Sequence, residues 1–163
     1  MKIATHLLLL TSLALISIPL SALTPQPIKS PNGWLTADQE PTLRLQKLEQ
    51  YLRGFDQPML ETGQRYESMY QALMDNNLKL AAYQWKKIRI TIENGLMKRP
   101  KREHNAKLLL LDVVWEEVLA DITSSDQQRA LLGFNKAKAA CMSCHQAEGK
   151  GFINNQPMFR LEL

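Results

Sequence analysis

The chain contains two cysteines, Cys141 and Cys144, and His145 directly follows the second one. Positions i, i+3 and i+4 of an α-helix lie on one face, so all three side chains can meet one ligand. Two thiols and an imidazole in this order form Cys-x-x-Cys-His, the attachment signature of c-type haem. The thiols add across the haem vinyl groups, and the imidazole binds the iron. The spacing therefore predicts one covalent haem c, with His145 as the proximal iron ligand.

Three alternative interpretations of this motif stay open. A structural zinc ion normally takes four ligands, and the only other histidines of the chain are His6 and His104. A redox-active Cys-x-x-Cys pair usually opens a helix after a strand, whereas this motif closes a helical stretch. The third alternative is a pair of buried cysteines that precede a histidine without a shared role.

The N-terminus has the layout of a secretory signal peptide, which we assign to residues 1–22. Lys2 supplies a positive charge, and Leu7 to Leu20 is an uncharged apolar run followed by small residues. We place the cleavage after Ala22. The alternative is an uncleaved membrane anchor, because residues 3–23 approach the length of a membrane span. Proteins with covalent c-type haem are assembled outside the cytoplasm, in an oxidising compartment. The segment therefore predicts a location in a bacterial periplasm.

The rest of the chain has the length of one domain. Residues 23–39 are rich in proline and serine and predict a flexible leader, and residues 40–163 predict one helical domain. The 163-residue chain has 20 Lys and Arg against 16 Asp and Glu, a net charge of +4. This mild excess does not indicate binding to nucleic acid. It fits a solvated surface or an acidic protein partner.

Four stretches show apolar residues at helical intervals, and none shows the sustained alternation that is typical of a strand. Their short connections predict an all-α fold, an antiparallel four-helix bundle. The four seams are Met59, Thr62, Tyr66, Met69 and Leu73; Leu78, Ala81, Trp85, Ile88 and Ile92; Leu108, Leu111, Trp115, Val118 and Ile122; and Gln127, Ala130, Phe134, Ala137, Cys141 and Cys144.

Two further local patterns complete the predicted bundle. A short additional N-terminal helix begins at Glu40-Pro41, ends at Gly54, and presents a leucine face to the bundle. Ser125 with Gln128 predicts a capping box at the start of the fourth helix. The leucines of the predicted packing face are Leu45, Leu48 and Leu52.

In an up-down-up-down bundle, the end of the fourth helix lies beside the start of the first. Met59 opens the first seam, so its thioether is the candidate distal ligand of the iron. The alternative for Met59 is core packing, the usual role of a methionine on a seam. His104 is a weaker candidate for the same iron position. The C-terminal tail is expected to cover a haem edge with Phe152 and Phe159, and it also brings Met158 within reach.

Cationic side chains are expected at the same end of the bundle. Arg99 and Arg102 lie in the loop between the second and third helices, and Arg65 is a further candidate. Arginine pairs with carboxylates through charge-assisted hydrogen bonds, so these residues are candidate contacts of the haem propionates. The alternative is a solvated charge run.

With these elements, the chain resembles class II c-type cytochromes, the cytochrome c′ type, and a group of small exported haem proteins with that bundle. Two stretches carry the resemblance, Asn77–Tyr83 and Cys141–Ile153, the second of which reads Cys-x-x-Cys-His-x-Ala-x-Gly-x-x-Phe-Ile. Leu78 stands where these proteins often have an aromatic residue. The resemblance spans most of residues 40–157. It implies a proximal histidine and, in low-spin members, a methionine early in the first helix, which His145 and Met59 match.

The predicted function is one-electron transfer through the haem, with a redox partner protein in the periplasm. Its alternative is a five-coordinate haem protein that binds or senses a small gas such as nitric oxide, as the resemblance to cytochromes c′ implies. A third hypothesis is a haem-bearing subunit or chaperone-like partner of a larger redox enzyme. The sequence contains no nucleophile paired with a base and no pair of carboxylates in a recognisable motif, so it does not predict an enzyme. The sequence leaves a homodimer open, and it predicts membrane contact only if the signal segment stays uncleaved.

Overall fold

The computed structural model of the chain describes residues 32–37 and 40–161. The predicted signal peptide and most of the predicted leader lie outside these residues. The chain divides into two units, residues 1–44 and 45–163. In the first unit, the carbonyl of Gly33 accepts hydrogen bonds from the amides of Thr36, at 2.9 Å, and Ala37, at 2.7 Å.

The described residues form helices and no strand, so the predicted all-α class is confirmed. None of these helices is both long and apolar enough to cross a lipid bilayer. The α-helices are α1 Pro41–Leu52, α2 Asp56–Met74, α3 Leu78–Lys98, α4 Glu103–Ala106, α5 Val114–Ile122 and α6 Gln127–Ala147. Shorter turns are 3₁₀ at Pro100–Arg102, Gly151–Asn154 and Pro157–Arg160, and π-helical at Lys107–Leu111.

Helix α1 does not pack as predicted. None of its residues is buried, and Leu45, on the predicted packing face, is 63% exposed. The helix also ends at Leu52 rather than at Gly54. The ammonium of Lys98 donates a hydrogen bond to the Leu52 carbonyl at 2.8 Å, which satisfies one unpaired acceptor of the helix end.

Helices α2 and α3 form an extensive pair, and α5 and α6 form another. The connection between α2 and α3 is tight because Asn76 adopts a left-handed φ of 51°, which asparagine tolerates better than most residues. The side chain of Asn77 caps α3 by accepting a hydrogen bond from the Leu80 amide at 3.1 Å. The predicted seams of this pair are largely confirmed, since the buried residues include Thr62, Tyr66, Met69, Leu73, Ala81, Trp85, Ile88 and Ile92.

The third predicted seam is wrong at its start. Leu108 is 64% exposed, whereas Ala106 and Leu110 are buried. The reason is the π-helical turn, in which the amide of Asp112 donates to the carbonyl of Lys107, five residues earlier, at 3.1 Å. A π turn inserts one residue into the helical repeat, so the buried face shifts by one position on its N-terminal side.

The start of α5, which follows the π-helical turn, is held against α3 by two aromatic rings. The indoles of Trp85 and Trp115 stack with centroids 4.0 Å apart and an interplanar angle of 9°. The Trp85 indole nitrogen donates to the Trp115 carbonyl at 3.1 Å. Arg89 lies over the Trp115 ring and donates to the Leu111 carbonyl at 3.2 Å. Side chains of α3 thus satisfy carbonyls around the irregular segment, as buried polar groups require.

Helix α6 begins with a different cap from the predicted one. The carboxylate of Asp126 accepts hydrogen bonds from the amides of Gln128, at 2.9 Å, and Arg129, at 3.2 Å. Ser125 instead takes a left-handed conformation with φ 64°. A carboxylate at this position also complements the positive end of the helix dipole.

A buried carboxylate joins α5 to α6. The side chain of Asp121 is only 8% exposed and accepts hydrogen bonds from Lys136, at 2.8 Å, and Arg129, at 2.9 Å. These two hydrogen bonds, from Lys136 and then Arg129, lower the pKa of Asp121. Gly133 faces the same carboxylate, and a β-carbon added there would lie 2.8 Å from the Asp121 Cβ. The close approach of the two helices therefore requires glycine at this position.

We expect Asp121→Asn to lower the free energy of unfolding at pH 7 by about 1 kcal/mol, because it removes the charge from two partly solvated hydrogen bonds. The folded-state pKa of Asp121 lies below its unfolded value, so this stabilisation is present above about pH 4 and is lost as pH falls through the folded pKa. Denaturant unfolding followed by far-ultraviolet circular dichroism, at pH 7 and in acid, measures both effects.

Glu117→Gln is the matched control. The Glu117 carboxylate lies 3.6 Å from the Lys136 ammonium, and both side chains are exposed to solvent. Equal stabilities of wild type and Asp121→Asn at pH 7 would contradict this account.

Candidate functional site

The three motif residues lie on one face at the C-terminal end of α6 and line one cavity. Cys141, Cys144 and His145 are half-buried, and the two cysteines are not joined by a disulfide. The cavity has a volume of about 330 Å³ and lies between α2, α6, the segment after α3 and the C-terminal tail. The helical spacing thus brings both thiols and the imidazole to one space, as the motif predicts.

The walls of the cavity are mainly apolar. Helix α2 contributes Met59, and the C-terminal tail contributes Ile153. The π-helical turn has a direct consequence here, because Ala106 and Leu110, the residues that it brings inward, line the cavity. The apolar periodicity predicts Leu108 on the buried seam of this helix in place of Ala106 and Leu110, and no signal in the sequence marks the π turn.

Burial raises the pKa of the Cys141 thiol to about 12, with a smaller contribution from Cys144. The pKa of Cys144 is also raised, first by burial and then by the carboxylate of Glu148. Redox-active cysteines have a lowered pKa, since the thiolate is their reactive form. The electrostatics of the pair are therefore opposite to those of a thiol–disulfide catalyst.

The imidazole of His145 is held by a residue that the sequence pattern missed. Its Nδ1 lies 2.8 Å from the Oδ1 of Asn154, and the Asn154 side-chain amide nitrogen donates to the Met142 carbonyl at 3.0 Å. The edge of the ring also meets Phe159, with centroids 5.6 Å apart and planes at 80°. Asn154 lies in the tail and outside every recognised motif, so the sequence carries no signal for it.

Two methionines line the cavity. Met59, the predicted distal ligand, lies on the α2 side, as its position at the start of the first seam suggested. Met158 of the tail also lines it, and a β-carbon added to Gly63 would lie 2.9 Å from the Met158 methyl group. The structure therefore places two thioethers at the cavity, that of the predicted ligand Met59 and that of Met158 from the tail.

The predicted propionate contacts are separated in the structure. Arg102 lines the cavity, with its guanidinium 5.1 Å from the centre of the Phe55 ring. Arg102 also lies 3.6 Å from the carboxylate of Glu148. Lys150 of the tail lines the cavity too and was not predicted. Among the three predicted arginines, Arg102 is the one that the structure brings to the site.

Arg65 and Arg99 are not among the residues that line the cavity. Arg65 pairs with Glu61 at 2.8 Å on α2 and donates to Gln84 of α3 at 3.2 Å. Arg99 is exposed, and its guanidinium donates to the Lys98 carbonyl at 2.7 Å. His104, the weaker ligand candidate, is exposed on α4 and does not line the cavity either.

Two buried hydroxyl groups face the same cavity. Thr62 and Tyr66 are one turn apart on α2, both line the cavity, and neither hydroxyl has a hydrogen-bond partner within the described part of the chain. Burial raises the pKa of Tyr66, with a smaller contribution from Cys141. An unpaired buried hydroxyl costs about 1–3 kcal/mol. The two hydroxyls would therefore be stabilised by a molecule in the cavity that brings a polar atom within hydrogen-bonding distance.

Within residues 32–37 and 40–161, no group of three His, Cys, Asp or Glu side chains is placed to hold a metal ion. Comparison of the chain with protein-family models, curated proteins and solved structures finds no match.

Proposed function

We propose that this protein is a monohaem c-type cytochrome of the periplasm that transfers single electrons. In this proposal Cys141 and Cys144 hold the haem through thioether links, and His145 binds its iron. The observation that carries the proposal is the placement of all three side chains on one apolar cavity at the end of α6. The predicted signal peptide supports export to the compartment where such attachment takes place.

The helix pairs support a bundle similar to that of class II c-type cytochromes. Helix α2 packs along α3, and α5 packs along α6. We propose that α2, α3, the segment from α4 to α5, and α6 are the four helices of an antiparallel bundle. The irregular segment counts as one helix, because the π-helical turn interrupts its hydrogen bonding without breaking its path.

A bound haem supplies an iron that alternates between Fe(III) and Fe(II). The side chains of this chain set the conditions for that exchange. His145 offers an imidazole nitrogen, and Met59 offers a thioether, which favours the reduced state and raises the reduction potential. The apolar walls would keep water from a bound haem, and their low dielectric would strengthen the effect of each nearby charge. Arg102 at the cavity wall is the candidate partner of a propionate.

A second candidate function is the binding of a small gas. It is favoured by the hydroxyls of Thr62 and Tyr66, which have no hydrogen-bond partner among the residues that the structure describes. Both hydroxyls can donate a hydrogen bond to a polar molecule in the cavity, whereas an entirely apolar wall has no donor. In this case the two hydroxyls would stabilise, by hydrogen bonds, a small ligand such as nitric oxide bound in the cavity.

We expect the protein, when expressed with a haem-maturation system, to be coloured and to carry the mass of one covalent haem. The double variant Cys141→Ala/Cys144→Ala removes both attachment points, so it should lose covalent haem completely. Ser143→Ala is the matched control, because Ser143 is the exposed residue inside the motif. Mass spectrometry of the denatured protein measures attachment. Wild-type protein that is colourless at the mass of the bare polypeptide would refute the proposal.

We expect Met59→Ala to remove the far-red sulfur-to-iron charge-transfer band of the oxidised holoprotein and to lower its reduction potential, since the thioether is lost. Met158→Ala is the matched control, because it removes the other thioether of the cavity. This control should retain the band. The opposite pattern would transfer the ligand role to Met158, and an unchanged band in both variants would exclude Met59 and Met158 as ligands.

The gas-binding candidate predicts that Tyr66→Phe increases the dissociation rate of nitric oxide from the reduced holoprotein about tenfold, the equivalent of one hydrogen bond. Tyr83→Phe is the matched control, because Tyr83 is exposed on α3. Stopped-flow absorption with a nitric oxide trap measures the rate. Wild-type rates in both Tyr66→Phe and Thr62→Val would contradict this function.

A further inference from the structure

We propose that Asn154 is a positioning residue that fixes the orientation and the proton of the His145 ring. The inference rests on the proposed role of His145 as an iron ligand. It concerns a residue of the C-terminal tail, nine positions after the histidine. A histidine that binds a metal usually donates a hydrogen bond from the N–H of its other ring nitrogen to an oxygen, and this contact tunes the strength of the metal bond.

The hydrogen bonds of Asn154 define the tautomer of His145. The carbonyl of Met142 can only accept a hydrogen bond, so the NH₂ of the Asn154 amide must face it, at 3.0 Å. The amide oxygen then faces Nδ1 of His145, at 2.8 Å. Since that oxygen is an acceptor, Nδ1 carries the proton. The lone pair of the neutral ring is therefore on Nε2, the nitrogen that an iron atom needs.

The same two contacts orient the ring. Met142 and His145 are three residues apart on α6, so Asn154 ties the imidazole to the backbone of its own helix. Rotation of the ring about its side-chain bonds would break the contact with Nδ1. The ring is thus held before any metal binds, which reduces the entropy lost on ligation.

The backbone turn after α6 positions Asn154 beside His145. Gly149 has a left-handed φ of 66°, and the amide of Lys150 donates to the His145 carbonyl at 2.7 Å. The next turn runs from Gly151 to Asn154. A β-carbon added at Gly151 would meet the tip of the exposed Gln146 side chain, so the turn passes close to α6 at this point.

A hydrogen bond from Nδ1 increases the electron density on Nε2. It therefore strengthens donation to iron and favours Fe(III), which lowers the reduction potential. This effect is opposite to that of a thioether ligand. Asn154 would thus set the potential through His145 without contact to the haem.

The test measures the reduction potential of the holoprotein by spectroelectrochemistry. Asn154→Leu keeps a similar volume and removes both hydrogen bonds, so the potential should rise, with the Fe(III)/Fe(II) affinity ratio reduced about tenfold. Asn154→Asp keeps an acceptor and adds charge, so the potential should fall. Asn155→Leu is the matched control, because Asn155 is exposed and accepts a hydrogen bond from Arg160. Its potential should equal that of the wild type.

A wild-type potential in folded Asn154→Leu, or an equal rise in Asn155→Leu, overturns the inference. A second measurement covers the case in which Asn154→Leu does not fold. In ¹H–¹⁵N spectra of the reduced wild-type holoprotein, the Nδ1 proton of His145 should exchange slowly with water, and its absence overturns the inference. A failed haem attachment refutes the proposed function instead, so the two failures are distinguishable.

Discussion

The fixed position of α6 is the constraint on which the candidate site depends, because this helix carries both cysteines and the histidine. Its N-terminal half is held to α5 through the buried carboxylate of Asp121 and the close approach at Gly133. The buried side chains along its middle are mostly small, including Ala130, Ala137 and Ala140. Small residues let neighbouring helices approach closely, and the cavity opens where this contact ends and Cys141 begins.

The opposite wall of the cavity depends on an irregularity that the rest of the molecule supports. The π-helical turn brings Ala106 and Leu110 inward, and the stack of Trp85 on Trp115 holds the start of α5, just after the turn, against α3. Arg89 satisfies a carbonyl of the turn from α3. An irregular turn inside a helix persists only where its surroundings satisfy the groups that it leaves unpaired. The core of the fold and the shape of the proposed haem site thus share the same contacts.

The cavity combines apolar walls with a few polar groups in defined places. His145 is tied to Asn154, whereas the hydroxyls of Thr62 and Tyr66 have no partner within the described residues. The two proposed functions differ in whether the hydroxyls of Thr62 and Tyr66 gain a hydrogen-bond partner. Electron transfer needs two strong iron ligands and no polar ligand, whereas gas binding gives the hydroxyls a partner. Both depend on the same proximal histidine, so the role inferred for Asn154 applies to either.

The sequence by itself determined the all-α class, most of the helical seams and the convergence of Cys141, Cys144 and His145. These features are local, because helical periodicity and the spacing i, i+3, i+4 act within one element. Prediction failed at the exposed face of α1, at Leu108, where a π turn changes the helical repeat, and at the cap of α6, where Asp126 replaces the predicted Ser125. Only the tertiary structure brought Arg102 to the cavity, placed Arg65 and Arg99 elsewhere, and set Asn154 against His145. Such contacts join segments that no short-range pattern relates, so they follow from packing rather than from spacing.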